Sequence, residues 1–272
     1  MSKVMLVTGA SSGIGREAAI QLARKGHRVY AGARRIERMQ DLAESGITPL
    51  PMDVTRVEEN ERAVDRIMGT EGRIDVLINN AGFGLFGPVE EIPLDDARYQ
   101  FEVNLFGLAH LTQLVLPHMR TQGSGRIINT SSIGGKVFTP LGAWYHATKH
   151  ALEAWSDCLR FETAPFNIRV IVIEPGLITT EFGEVAGARL RTYADGTAYG
   201  ARVETFLRMI EDPRAGDRGT DAAVLAEVFV EAATAARPRR RYVRGAMARP
   251  ALFIRKWLGD GVYEFILRQA FR

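Results

Sequence analysis

Short runs of β-branched and apolar residues recur along the 272-residue chain, and stretches with apolar residues at helical spacing separate them. The runs are Val4–Val7, Arg28–Gly32, Ile47–Met52, Ile74–Asn79, Arg126–Thr130, Arg169–Glu174 and Arg241–Arg244. Helical patterns fill intervals such as Ile14–Arg24, Val57–Met68 and Ala97–Met119. Strands alternating with helices need crossover connections, so the sheet is mostly parallel and covered by helices on both faces. The rhythm predicts an α/β fold with one doubly wound, seven-stranded sheet. No repeat or low-complexity linker interrupts it, so residues 1–272 are expected to form a single domain.

Composition narrows the class. Hydrophobic residues make up 46% and charged residues 25%, which excludes a disordered chain, a collagen-like repeat and a disulfide scaffold. The single cysteine, Cys158, rules out an internal disulfide and a cysteine-based zinc cluster, and suits a reducing compartment. No apolar run approaches the roughly 18 residues of a membrane span. Met1-Ser2-Lys3 passes at once into Val4–Val7, without the longer apolar region of a signal peptide, so the expected location is cytoplasmic. The net charge of +3 is unevenly spread: residues 237–272 hold ten Arg or Lys against Asp260 and Glu264. That basic end lacks aromatic–basic interleaving on a recognition module, so nucleic acid is not an expected partner.

The segment Thr8-Gly9-Ala10-Ser11-Ser12-Gly13-Ile14-Gly15 lies between the first strand and the first helix. Glycines there allow a tight turn and bring backbone N–H groups to a pyrophosphate at the positive helix end. With a strand before it and a helix after it, the turn reads as the dinucleotide cradle of a Rossmann fold. The second strand ends at Ala33, where a carboxylate would meet a free ribose 2′-hydroxyl, and Arg34 and Arg35 follow instead. Two guanidiniums suit a 2′-phosphate, which favours NADP(H) over NAD(H). Asp53, with Val54 beside it after the third strand, is placed to receive the adenine amino group.

Tyr145 and Lys149 are four apart, so a helix sets them on one face. A free tyrosine has a pKa near 10, and a neighbouring ammonium favours the phenolate and lowers it. Such a tyrosine exchanges a proton with a carbonyl oxygen while hydride moves. Ser131 and Ser132 end the run Ile127–Ser132, and a hydroxyl at a strand tip can hold the reacting oxygen.

Taken in order, these motifs resemble the short-chain dehydrogenase/reductase family over almost the whole length to about Arg244. Asn79-Asn80-Ala81-Gly82, Asn104, Pro175-Gly176 and Thr180 extend the match. The resemblance implies Tyr145 as acid/base, Ser132 rather than Ser131 as the group orienting the substrate oxygen, and Lys149 on the nicotinamide ribose. It implies that Asn104 holds a relay water, that Asn80, Ala81 and Gly82 border the adenosine ribose, and that Ile178 and Thr180 meet the carboxamide. Many NADP(H)-using relatives carry a basic residue where this chain has Ser12, which keeps NAD(H) as the alternative. It further implies a homodimer or homotetramer built on the helices at Ala97–Met119 and Trp144–Thr163.

Apolar residues follow both the Asn-Asn-Ala-Gly turn and Ser132: Phe83, Leu85, Phe86, Val137, Phe138, Leu141 and Trp144. Phe83, Leu85, Phe138 and Trp144 are the expected substrate contacts, and apolar walls suit a hydrophobic ketone, aldehyde or secondary alcohol. The layout is similar to the hydroxysteroid and retinol dehydrogenase branch, and reductases of acyl-lipid ketones share it. Steroid, retinoid and acyl chains all stay open. A nicotinamide-sensing regulatory protein is the alternative function, and the intact Ser132, Tyr145 and Lys149 set speaks for an enzyme.

Residues 177–201 are rich in Gly and Ala and read as an irregular lid, extending to about 210. Residues 245–272 read as an apolar and basic extension; capping of the substrate mouth or packing at an interface is expected there over contact with a membrane surface. His146 and His150 have no matched partners at zinc-ligand spacing, so no metal is expected. Cys158 is expected to be a buried thiol.

Overall fold

The computed structural model describes residues 2–211 and 219–271; Met1 and Arg272, the two ends of the expected domain and extension, lie outside them. Six strands come first: β1 (Val4–Thr8), β2 (Arg28–Ala33), β3 (Ile47–Pro51), β4 (Val76–Asn79), β5 (Gly125–Thr130) and β6 (Ile168–Pro175). Two short strands, β7 (Ile178–Thr179) and β8 (Thr220–Asp221), pair separately, and β9 (Arg241–Arg244) completes the main sheet. Its order is β3-β2-β1-β4-β5-β6-β9, with every neighbouring pair parallel. The seven expected runs are these seven strands, each within two residues at either end.

Strands buried on both faces read as nearly unbroken apolar runs, because alternate side chains serve different layers. Met5 and Val7 pack towards α1 (Gly13–Arg24), where Ala18 and Leu22 meet them. Val4 and Leu6 face the opposite layer with Ile67 of α2 (Val57–Glu71). The helix α3 (Leu94–Phe101) leads through a π-helical turn at Glu102–Phe106 into α4 (Gly107–Gln122), which adds Leu111 and Val115 to that second layer. The helical stretch expected at Ala97–Met119 is thus continuous but carries a π turn, within which Asn104 is buried.

A long helix α5 (Ala143–Thr163) buries Tyr145, Lys149, Leu152, Ser156 and Leu159 on one stripe. Cys158 lies about half a turn from Ser156 and is exposed, which corrects the expectation of a buried thiol. Residues 177–201 are not irregular either, since they contain α6 (Glu181–Ala194) and the start of α7 (Gly200–Glu211). Thr180 caps α6 by accepting from the Phe182 N–H at 3.3 Å, Glu181 and Glu184 sit in its first turn, and Ala186, Leu190 and Ala194 are buried at four-residue steps.

The helix α8 (Ala222–Thr234) packs on α1 and carries Phe229, fully buried against the sheet. Side chains of that size, fully buried, each contribute about 1.5–3 kcal/mol of hydrophobic stabilisation. After β9 come α9 (Ala248–Phe253), a π turn at Ile254–Leu258, and α10 (Gly259–Ala270). Among the described residues no helix is long and apolar enough to cross a membrane.

Candidate active site

The strand order reverses between β1 and β4, and a cleft of ≈ 410 Å³ opens there at the carboxyl ends of the strands. Gly9, Ser11, Ser12, Gly13 and Ile14 form one wall. Gly9 has φ +67°, and a Cβ there would sit 2.8 Å from the Ala81 Cα. Gly15 lies beneath the turn, where a Cβ would stand 2.4 Å from Asn80 Nδ2 and 2.5 Å from the Gly9 carbonyl. No acidic residue occupies the first turn of α1, so its positive end is left for an anion. The cradle fits a dinucleotide pyrophosphate. Asn80 braces it, its N–H donating to Thr8 Oγ1 at 3.0 Å and its amide to the Thr8 carbonyl at 3.1 Å.

Further along the cleft, Arg34 donates to the Tyr99 hydroxyl at 2.8 Å and lies 4.0 Å from the Asp53 carboxylate. Arg35 bends back over the turn, donating to Ser11 Oγ at 3.3 Å and Ser12 Oγ at 3.2 Å. Asp53 accepts from the Thr55 N–H and hydroxyl at 3.0 and 2.8 Å, and Val54 lies beside it, buried. Ala81, Gly82, Pro175, Gly176, Ile178 and Thr180 line the remaining length.

At the far end Tyr145 and Lys149 sit one turn apart on α5, both buried. Lys149 Nζ lies 6.0 Å from the Tyr145 ring centre and donates to the Thr130 carbonyl at 2.8 Å. Burial lowers Lys149 from its ordinary value to about 8, against the opposing pull of Glu153 one turn further on. The spacing predicts a phenol lowered by Lys149, but burial dominates and pushes Tyr145 up; a hydrogen bond with Ser132 works the other way. Phe86 and Phe182 lie over Tyr145, with ring centres 5.3 and 5.6 Å from it.

The two serines part company at the strand tip. Ser132 accepts from the Gly134 N–H at 3.0 Å and stands beside Tyr145, whereas Ser131 is buried towards Glu153. Asn104, fully buried in the π turn, clasps the Phe83 backbone: its amide donates to the carbonyl at 2.9 Å and its Oδ1 accepts from the N–H at 3.1 Å. Asn104 Oδ1 and Lys149 Nζ converge on Gly82, 3.1 and 3.8 Å from where its Cβ would be.

A sequence profile of short-chain dehydrogenases matches residues 3–190. The chain belongs to the short-chain dehydrogenase/reductase family. It is 43% identical over 183 residues to the uncharacterised oxidoreductase YbbO of Escherichia coli strain K12, a match covering 67% of this chain and 68% of that one. It is 33% identical over 275 residues to the 3-ketodihydrosphingosine reductase of Bacteroides thetaiotaomicron, covering 98% and 97%. The crystal structure of a short-chain dehydrogenase from Streptomyces avermitilis superposes with a TM-score of 0.79 at 32% identity, covering 98% of this chain and 94% of that one. The protein is accordingly an oxidoreductase acting on CH–OH donors, with a Rossmann fold that binds a nicotinamide cofactor.

On the substrate side of this short-chain dehydrogenase/reductase, only part of the expected wall faces the cleft. Phe83 lines it, under Arg189 of α6, whose guanidinium lies 4.8 Å from the ring centre. Leu85 is fully buried in a satellite core with Ile92 and Ala97, and Trp144 packs against the same group. Phe138 is covered by the C-terminal segment: the Tyr263 ring lies 5.4 Å away, and the Tyr263 hydroxyl donates to the Phe138 carbonyl at 2.7 Å. Leu85, Phe138 and Trp144 are not among the residues lining this cleft. Phe182 and Val185 of α6 line it instead. The signal for them was the Thr180 cap, which marks a helix start and sets these two residues in its first turns.

The remaining motifs have structural partners. His146 Nδ1 meets the Gly134 carbonyl at 3.0 Å and its Nε2 accepts from the Thr139 N–H at 3.0 Å, so the ring ties down the loop after Ser132. His150 Nδ1 meets the His146 carbonyl at 2.8 Å on the same helix.

Proposed function

We propose that the protein is an NADP(H)-dependent oxidoreductase of hydrophobic ketones and aldehydes, or of secondary alcohols in reverse, with Tyr145 as the acid/base. The observation that carries this reading is the buried Tyr145 hydroxyl, hydrogen-bonded to Ser132 and one turn from Lys149 at the end of the cleft. The bound nicotinamide supplies or takes up the hydride. Ser132 Oγ holds the carbonyl oxygen beside the Tyr145 hydroxyl, whose proton passes to that oxygen as negative charge develops. The Lys149 ammonium stabilises the phenolate left behind. Asn104, converging with Lys149 on Gly82, is suited to hold the water that returns a proton from solvent.

Arg34 and Arg35, at the end of β2 and exposed, support a 2′-phosphate and thus NADP(H). Phe83, Phe182 and Val185 in the cleft support an apolar substrate, and the relative named for 3-ketodihydrosphingosine supports a lipid ketone. In this reading the whole chain is one catalytic domain, α6 and α7 form the lid, and two copies pair through α4 and α5, where Phe106 just before α4 and Phe161 of α5 are exposed.

The test is oxidation of NADPH and of NADH with pooled steroid, retinoid and long-chain ketones. The expected result is turnover with NADPH preferred, and a preference reduced by about tenfold or more in Arg34→Ala through loss of a charge-assisted contact. Tight cofactor binding without turnover of any pool would favour the regulatory alternative instead.

A further inference from the structure

The C-terminal segment has two faces. Its inner face is spent on the protein: besides the Tyr263 contact with Phe138, Phe271 stacks on Phe206 of α7 with ring centres 6.1 Å apart. Arg255 turns the same way, paired with Asp260 and lying 5.4 Å from the Phe138 ring centre. The outer face carries Phe253, Trp257, Leu258, Val262, Phe265 and Ile266, each between 41% and 67% exposed. Val262, Phe265 and Ile266 follow at three and four residues and share one side of α10; Phe253 and Trp257 stand in the same relation on the preceding turns. An uncovered apolar face of this extent marks an interaction site.

Charge identifies what covers it. Arg249 and Lys256 are exposed and have no carboxylate partner among the described residues. Lys256 Nζ lies 5.2 Å from the Trp257 ring centre, at the edge of the apolar face. A second copy seated face to face would add two more unpaired cations to the same interface, which disfavours self-pairing. An anionic lipid surface offers phosphates for the cations and an acyl boundary for the aromatic and aliphatic side chains. We propose that this face of the C-terminal segment docks on an anionic lipid surface, lying on it rather than crossing it. The segment's inner face braces Phe138 and, through Phe206 and Phe86, the rings above Tyr145. The docking does not depend on the proposed apolar substrate.

The experiment is co-sedimentation of the full chain with vesicles of phosphatidylcholine alone and of phosphatidylcholine mixed with phosphatidylglycerol. Wild type is expected to bind the mixed vesicles selectively, and less as salt rises. Arg249→Gln with Lys256→Gln should weaken that binding about thirtyfold. Trp257→Ser with Phe265→Ser should weaken it at least about tenfold while melting at the wild-type temperature. Equal binding of wild type to both vesicles, or binding to neither, would overturn the proposal. So would self-association of wild type that the Trp257→Ser, Phe265→Ser variant abolishes. Neither readout involves turnover, so the result is distinct from any failure of the proposed activity.

Discussion

Lys149 carries its charge where little water reaches it, and in the proposed reaction its ammonium accommodates a phenolate on Tyr145. With its pKa lowered to about 8 by burial, that ammonium is present below this pH and lost above it. The catalytic efficiency of carbonyl reduction should therefore be level near neutrality and fall as pH rises through about 8. A Lys149→Arg variant keeps its charge and should move the fall upward. A wild-type profile level to the ordinary lysine range would contradict this role. Lys149, Tyr145 and Ser132 were legible in sequence because spacing and a strand end position them. Leu85, Phe138 and Trp144 were not separable from Phe83 by the same means. An apolar residue beside a motif packs equally well into a core or into a cleft, and only the surrounding helices decide which.

Secondary structure delivers these groups with little slack. The turn between β1 and α1 works only if its glycines admit neighbouring backbone, and Gly15 is the most tightly enclosed. Gly15→Ala puts a methyl against Asn80 Nδ2 and the Gly9 carbonyl. It should cost about 1–3 kcal/mol by overpacking and weaken dinucleotide binding, read by thermal melting with and without cofactor. Wild-type melting behaviour in both conditions would show that the cradle is looser than its contacts imply. The strands were legible because burial on both sheet faces writes itself as apolar runs. The π turn at Glu102–Phe106 was not, since it adds no change of composition to an otherwise continuous helical pattern. The helix α6 escaped for another reason: the composition of residues 177–201 suggests a loop, while its helical signal rests on Thr180, two acids and a four-residue apolar step.

Across the assembled sheet, function follows from where the strand order reverses. The glycine-rich turn follows β1, Arg34 and Asp53 follow β2 and β3, the Asn80 brace follows β4, and Ser132 follows β5. The sheet thus sets a long cofactor cleft ending at one buried tyrosine, and α6 covers that end with Phe182. The C-terminal segment adds a buttress from the far side, beyond the residues that the family profile matches. Everything proposed for the chemistry depends on Tyr145 delivering the proton in that enclosure. The most direct measurement is single-turnover hydride transfer from NADPH to a ketone that the wild-type protein reduces, compared with Tyr145→Phe. The ring and its packing are kept and only the hydroxyl is removed, so cofactor binding should be unchanged while the transfer rate falls by about a thousandfold. A Tyr145→Phe protein transferring hydride at the wild-type rate would contradict the assignment.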